Sequence, residues 1–203
     1  MPSFVHMKRQ EGWRAAFRGL TLPCFEFHHA YILSKSLTEL PAPASPRSDV
    51  EFKVLAPADL KLLASIVPPL RVRRFARKMQ AGELCFAGLG EGSIIAFQWA
   101  SLPNGPTAKE MPFQLGSNEV YLWGAYCLPK HRARGIMTAM TRHVLHWLQN
   151  QGYEQVFLMT NRRNQPALTL TRKAGFQIVA RLIALRIFKW RIFRHTELKV
   201  DGC

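Results

Sequence analysis

The side chains best suited to chemistry gather between Glu119 and Met140, EVYLWGAYCLPKHRARGIMTAM. Arg132 and Arg134 stand two apart beside Gly135, in a turn that also holds Lys130 and His131. Guanidinium groups bind phosphate through paired N–H donors, and a glycine lets an anion come close to the backbone. A helix starting at such a turn would add its own unpaired N–H groups and its dipole. This turn can therefore grip a pyrophosphate. The plainer alternative is a strand-to-helix connection with solvated arginines. Glu119 has Tyr121 and Trp123 on the same side of an alternating stretch, where a carboxylate could act as a general base or simply end a strand in solvent. His143 and His146 sit three apart; a metal pair is one reading, and solvated or core histidines the other. Cys24, Cys85, Cys127 and Cys203 show no Cys-x-x-Cys spacing. Free thiols in a reducing cytoplasm and no bound metal are the expectation.

These residues need elements to hold them. Val120 to Leu128 is an apolar, aromatic run, the pattern of a strand buried on both faces, and Pro129 stops it. From Ile136 the period changes, and Ile136, Ala139, Met140, Val144, Trp147 and Leu148 share a helix face. Gly124 inside the strand predicts a bulge or a close backbone approach. Upstream, Cys24 to Leu33 alternates as a strand, and its adjacent His28 and His29 point to opposite faces. Pro41 to Asp49 is a linker by composition. Val50 to Leu55 follows as a strand, then a helix from Pro57 to about Val67 and a basic helix from Leu70 to Met79. Glu83 to Leu89 and Ser93 to Ser101 form a hairpin through Gly90-Glu91-Gly92. Leu102 to Asn118 is a loop. After the helix, Gln155 to Thr160 is a strand, Asn164 to Gly175 a helix, and Phe176 to Phe188 with Trp190 to Phe193 the last strands. Met1 to Leu20 is a short amphipathic helix or a loose segment.

The stretch Cys127-Leu128-Pro129 followed by Arg132-Ala133-Arg134-Gly135-Ile136 resembles motif A of the GCN5-related N-acetyltransferases. Downstream, the segment from Asn164 to Phe176, NQPALTLTRKAGF, resembles motif B of the same superfamily, Asn-x-x-Ala-x-x-Leu-Tyr-x-x-x-Gly-Phe. The resemblance covers about residues 50–193 and implies an α/β fold, a mixed central sheet flanked by helices. The strand near Cys24 is extra to it, with pairing to the C-terminal strands as a guess. The expected organisation is an N-terminal extension and linker over 1–48 and an acyltransferase domain over 49–203. In that family a bulge at the Gly124 position splays two parallel strands and makes the acyl-CoA slot.

The resemblance further implies acetyl-CoA or another acyl-CoA as cosubstrate, and acyl transfer to an amine by direct attack. It carries pantetheine contacts to the backbone of Cys127 and Leu128, and pyrophosphate contacts to Arg132, Arg134, Gly135, Met137 and Thr138. Asn164 matches the asparagine that faces the cofactor arm, and it equally suits a helix cap. Two departures stand out. Met137 replaces the usual Gly or Ala, and Thr171 replaces the tyrosine that protonates the leaving thiolate. Glu119 and Tyr121 complete the catalytic candidates.

The chain has 203 residues, 48% of them hydrophobic, enough for one well-cored domain. No apolar run reaches the roughly 18 residues a membrane span needs, and no secretory signal is visible. The reading is cytoplasmic, or peripheral to a membrane. With 28 Lys+Arg against 13 Asp+Glu, the formal net charge is +15. Such a surface suits an acidic acyl carrier protein as acyl donor, an anionic membrane surface or nucleic acid, and charge does not choose among them. The acceptor is a small-molecule or peptide amine. A non-catalytic CoA-binding or surface-docking protein of the same fold is the alternative. The basic and aromatic stretch Arg181 to Lys199 is the candidate for docking on anionic lipid.

Overall fold

The computed structural model describes residues 25–38, 40–41, 49–187 and 190–197, and of these the side chains of 25–28 and 184–197 lie outside the description. The Met1 to Leu20 segment, most of the Pro41 to Asp49 linker, and nearly all side chains of the Arg181 to Lys199 stretch therefore fall outside the described residues.

The strands are β1 (Phe25–Ser36), β2 (Glu51–Val54), β3 (Leu84–Gly90), β4 (Ser93–Ser101), β5 (Glu119–Cys127), β6 (Gln155–Asn161), β7 (Gln177–Ile187) and β8 (Trp190–Glu197). The helices are α1 (Leu60–Leu63), α2 (Pro69–Gln80), α3 (Pro106–Lys109), α4 (Ile136–Asn150) and α5 (Gln165–Lys173). One eight-stranded sheet carries them all, in the order β2-β3-β4-β5-β6-β1-β7-β8. β5 and β6 are parallel and every other neighbouring pair is antiparallel. The mixed sheet flanked by helices is the fold class the sequence implies. None of its described helices is long and apolar enough to cross a membrane.

β1 does pair with β7, and it also pairs with β6, so the N-terminal strand lies inside the sheet between them. Its inner residues Ile32 and Leu33 are buried accordingly. On one face, α4 places Ile136, Met140, Val144, Leu145 and Leu148 over Val120, Leu122, Val156 and Leu158. That is the helical period of α4 meeting the two-residue period of β5 and β6. The opposite face is covered by α1 and α2, whose Leu63 and Phe75 pack on Cys85, Ala87, Phe97 and Trp99. A third cluster on that side puts Phe113, from the β4–β5 connection, against Tyr121 and Phe157.

Three expectations need correction. The helix expected from Pro57 to Val67 is a 3-10 turn, Pro57–Asp59, and the four-residue α1, followed by turns to Pro68. Asp59 closes that turn by accepting from the Ala56 amide at 2.9 Å and from Lys53 at 3.1 Å, which lowers its carboxyl pKa. The loop from Leu102 to Asn118 contains α3. The run from Val120 to Leu128 is not buried throughout: Gly124 and Ala125 are exposed, Trp123 and Tyr126 are half-buried, and burial returns at Cys127.

Candidate functional site

The half-exposure of β5 has a local cause. Gly124 adopts φ +61°, in the left-handed region. Across it, Trp123 pairs with Trp99 and Tyr126 with Phe97, so two residues of β5 face Gln98 alone. This is a bulge, and it turns the strand. Pairing between β5 and β6 covers only Glu119–Leu122 against Gln155–Leu158. Beyond it β5 stays with β4, while Met159 to Asn161 stay with β1. Two parallel strands thus part, leaving a slot between their carboxyl-terminal halves.

The turn after β5 lies at the carboxyl-terminal end of that strand, where the two strands have parted. Ala133 and Gly135 both take positive φ, +59° and +75°. No side chain caps α4. Among the described residues the amides of Gly135, Ile136, Met137 and Thr138 have no backbone acceptor, whereas that of Ala139 already bonds Gly135 O at 3.0 Å. Four N–H groups without an acceptor stand at the positive end of a fifteen-residue helix, an arrangement that favours negative charge. Arg132 and Arg134 are exposed beside it. Arg132 donates through Nε to the Cys127 carbonyl at 3.0 Å and lies 6.0 Å from the Tyr126 ring.

The Leu128 amide donates to Ile95 O at 2.9 Å. That bond commits Leu128 to β4 and turns the Cys127 amide and carbonyl toward the slot edge, by the alternation of an antiparallel ladder. The Cys127 thiol is buried, which raises its pKa, with Arg132 acting the other way. Met137 is half-buried against the α4 core, and Thr138 is also half-buried.

Asn164 is the N-cap of α5, its Oδ1 accepting from the Ala167 amide at 3.2 Å. Thr171 is 4% exposed, and its hydroxyl donates to Leu168 O at 3.1 Å, one turn back in its own helix. Tyr121 is buried beneath Phe113, with ring centroids 6.3 Å apart, and burial pushes its hydroxyl pKa up. Glu119 accepts from the Gly116 amide at 2.7 Å. It stands five residues before Gly124, roughly 16 Å along a strand. The site residues thus divide. Cys127, Arg132, Arg134, Gly135, Met137 and Thr138 adjoin the slot mouth, while Glu119, Tyr121 and Thr171 have contacts that engage them elsewhere. His143 is packed against Phe52 at 5.5 Å, and no group of three or more potential metal ligands occurs among the described residues.

Sequence reasoning passed over the opposite wall of the slot. There Trp123 stacks on Trp99 at 5.2 Å, Trp99 meets Phe75 at 4.7 Å, and the Lys78 ammonium lies 4.6 Å over the Trp123 ring. Trp123 Nε1 donates to Glu83 Oε2 at 2.9 Å.

Comparison with known proteins gives these features a context. Residues 60–176 match the model of the acetyltransferase (GNAT) family. The chain is 35% identical over 78 residues to mouse "Probable N-acetyltransferase family 8 member 5", a stretch covering 38% of this chain and 34% of that protein. The matched region therefore spans about a third of that relative's length. Among solved structures, an acetyltransferase from the GNAT family of Colwellia psychrerythraea superposes with a TM-score of 0.60 at 15% identity, covering 78% of this chain and 55% of that one. AAC(6')-Iy in complex with the bisubstrate analog CoA-S-monomethyl-acetylneamine superposes with a TM-score of 0.53 at 20% identity, covering 64% and 92%. These two likenesses are of fold.

Proposed function

Because the chain belongs to the acetyltransferase (GNAT) family, we propose that it moves an acetyl or longer acyl group from coenzyme A to an amine by direct attack. The observation that carries this reading is the bulge at Gly124, which parts β5 from β6 just before the turn that leads into the uncapped start of α4. An acyl-CoA fits that arrangement in parts. Its pyrophosphate would take the amides from Gly135 to Thr138, with Arg132 and Arg134 supplying charge. Its pantetheine arm would lie along the slot edge of β5, where Cys127 offers an amide and a carbonyl and Gly124 carries no side chain.

The thioester would then lie within the sheet, with α4 on one side and the Trp99–Trp123 layer on the other. The amine enters from the α1–α2 face. Its lone pair attacks the thioester carbon, the oxyanion collapses, and the thiolate leaves while the amine loses a proton. Holding the two reactants in line supplies much of the acceleration. We assign the base role to no side chain: Glu119 is held in the Gly116 turn, and Tyr121 lies under Phe113. Thr171 spends its hydroxyl on Leu168 O and makes no general acid in this reading.

The test is incubation with labelled acetyl-CoA and a panel of amines comprising an amino sugar, a polyamine, amino acids and a lysine peptide. The proposal expects an N-acetylated product and free thiol in equal amounts. Saturable acetyl-CoA binding with no product across the panel would favour a non-catalytic CoA-binding protein.

A further inference from the structure

Glu83 precedes β3 and is 2% exposed, yet it carries a carboxylate. A buried carboxylate persists only where donors replace its lost water. Three do so here. Oε1 accepts from Ser101 Oγ at 3.1 Å and from the Thr107 amide at 2.6 Å, and Oε2 accepts from Trp123 Nε1 at 2.9 Å. Ser101 Oγ in turn accepts from the Ala108 amide at 3.0 Å. Gly105 permits that close approach, because a Cβ there would collide with Ser101 Oγ. The Glu83 amide bonds Lys78 O at 3.0 Å, and Lys78 Nζ reaches both Thr107 Oγ1 and the face of Trp123. Glu83 therefore holds the end of α2 through its amide, and the end of β4, the start of α3 and the residue before the bulge through its carboxylate.

Core packing alone does not require such an arrangement. Trp123 is half-buried and borders the slot, and its ring is fixed by contacts of three kinds: a stack on Trp99, a cation over the face, and a hydrogen bond at the edge. A phenylalanine would supply the stack. The indole N–H adds an orientation, and only Glu83 reads it.

We propose that Glu83 is a positioning residue that sets the acceptor-side wall of the slot, fixing the Trp123 indole and the α3 connection so that an incoming amine is aimed at the thioester. The proposal rests on the acyl-transfer reading above. Glu83 touches no reactant; it acts through Trp123 and the residues around Thr107.

Glu83→Gln turns one acceptor oxygen into a donor, which faces another N–H and leaves it unsatisfied. Trp123→Phe keeps the carboxylate and an aromatic ring against Trp99 and removes the pyrrole part of the indole with its N–H, so it serves if the first variant does not fold. Each is compared with wild type for the acetyl-CoA dissociation constant and for kcat/KM toward the amine of the panel acetylated fastest. In Glu83→Gln acetyl-CoA affinity is expected to stay within about twofold, because Glu83 touches no reactant and the pyrophosphate turn lies on the other side of the bulge. Acceptor kcat/KM is expected to fall about ten- to hundredfold, the scale of an ångström of misplacement. The double variant should lose little more than the worse single one, since both cut the same link. Acceptor kcat/KM within twofold of wild type in Trp123→Phe, or in Glu83→Gln a loss of acetyl-CoA affinity matching the loss of kcat/KM, overturns the positioning role. A wild type that acetylates no amine overturns the transfer reading itself, and the inference falls with it.

Discussion

The bulge at Gly124 can be tested by putting a methyl group on it. At φ +61° a side chain meets its own backbone, which costs about 1–2 kcal/mol for a residue in the left-handed region. The added Cβ would also lie 3.1 Å from Trp99 Cδ1. Trp99 is fully buried between Phe75 and Trp123, so it has little room to yield, and overpacking of this kind costs about 1–3 kcal/mol. Gly124→Ala should therefore destabilise the fold by about 2–5 kcal/mol. Gly92 provides the control, because its φ of +72° is similar and nothing lies within 4 Å of its Cβ position. Gly92→Ala should cost only the backbone part, about 1–2 kcal/mol. Urea unfolding of both variants gives the difference directly, provided their m-values match wild type. An excess of about 1–3 kcal/mol for Gly124→Ala isolates the contact with Trp99. Equal losses would mean that the bulge is not seated on Trp99 and that the described slot wall is misplaced.

Three further outcomes follow from the side-chain contacts. Thr171→Val deletes a hydroxyl engaged with Leu168 O, so turnover should stay within about tenfold; a loss of several orders with intact acetyl-CoA binding would restore an acid role, which is typically worth 10²–10⁴-fold. Glu119→Gln should leave the pH–rate profile unchanged in shape, because the carboxylate holds the Gly116 turn, and a selective loss below the amine's pKa would make it the base. Burial, with His146 nearby, lowers the pKa of His143 below its ordinary 6.5. The unfolded chain then binds a proton there before the folded one does, so this histidine's contribution to stability is present above about pH 6.5 and lost as pH falls toward the folded value. Compared with His143→Gln, the wild type should lose more unfolding free energy between pH 7.5 and 5.5, and parallel curves would contradict that burial.

The sequence shows its local features well and its distant ones poorly. The β5–turn–α4 unit is legible because a change of period, a proline and a glycine all lie within a dozen residues of one another. Gly124 is legible for the same reason, since a lone glycine in an aromatic strand has few other uses. The half-exposed end of β5 is not, because Trp123 and Tyr126 line an opening with the same apolar side chains that would fill a core. The central place of β1 depends on partners 119 or more residues away in β6 and β7, and alternation indicates a strand without naming its neighbour. Glu83 is the clearest omission. It reads as the start of a hairpin, and its side-chain partners lie 18, 24 and 40 residues downstream. Glu119 shows the converse. Its position on the strand is clear from alternation, while the bond to Gly116 that occupies it appears only when the preceding turn is built.

In the proposed reaction the turn from Arg132 to Thr138 is the place where the pyrophosphate of coenzyme A is held. Gly135 at φ +75° gives the turn its shape and leaves its amides open. Gly135→Glu puts a side chain and a negative charge at that point. The direct measurement is the thermal stabilisation by acetyl-CoA, which for a ligand at a hundredfold its dissociation constant is about 2.7 kcal/mol. Wild type should show that shift, and a folded Gly135→Glu variant should show none at the same concentration. A folded variant stabilised to the same degree as wild type would place the cofactor elsewhere.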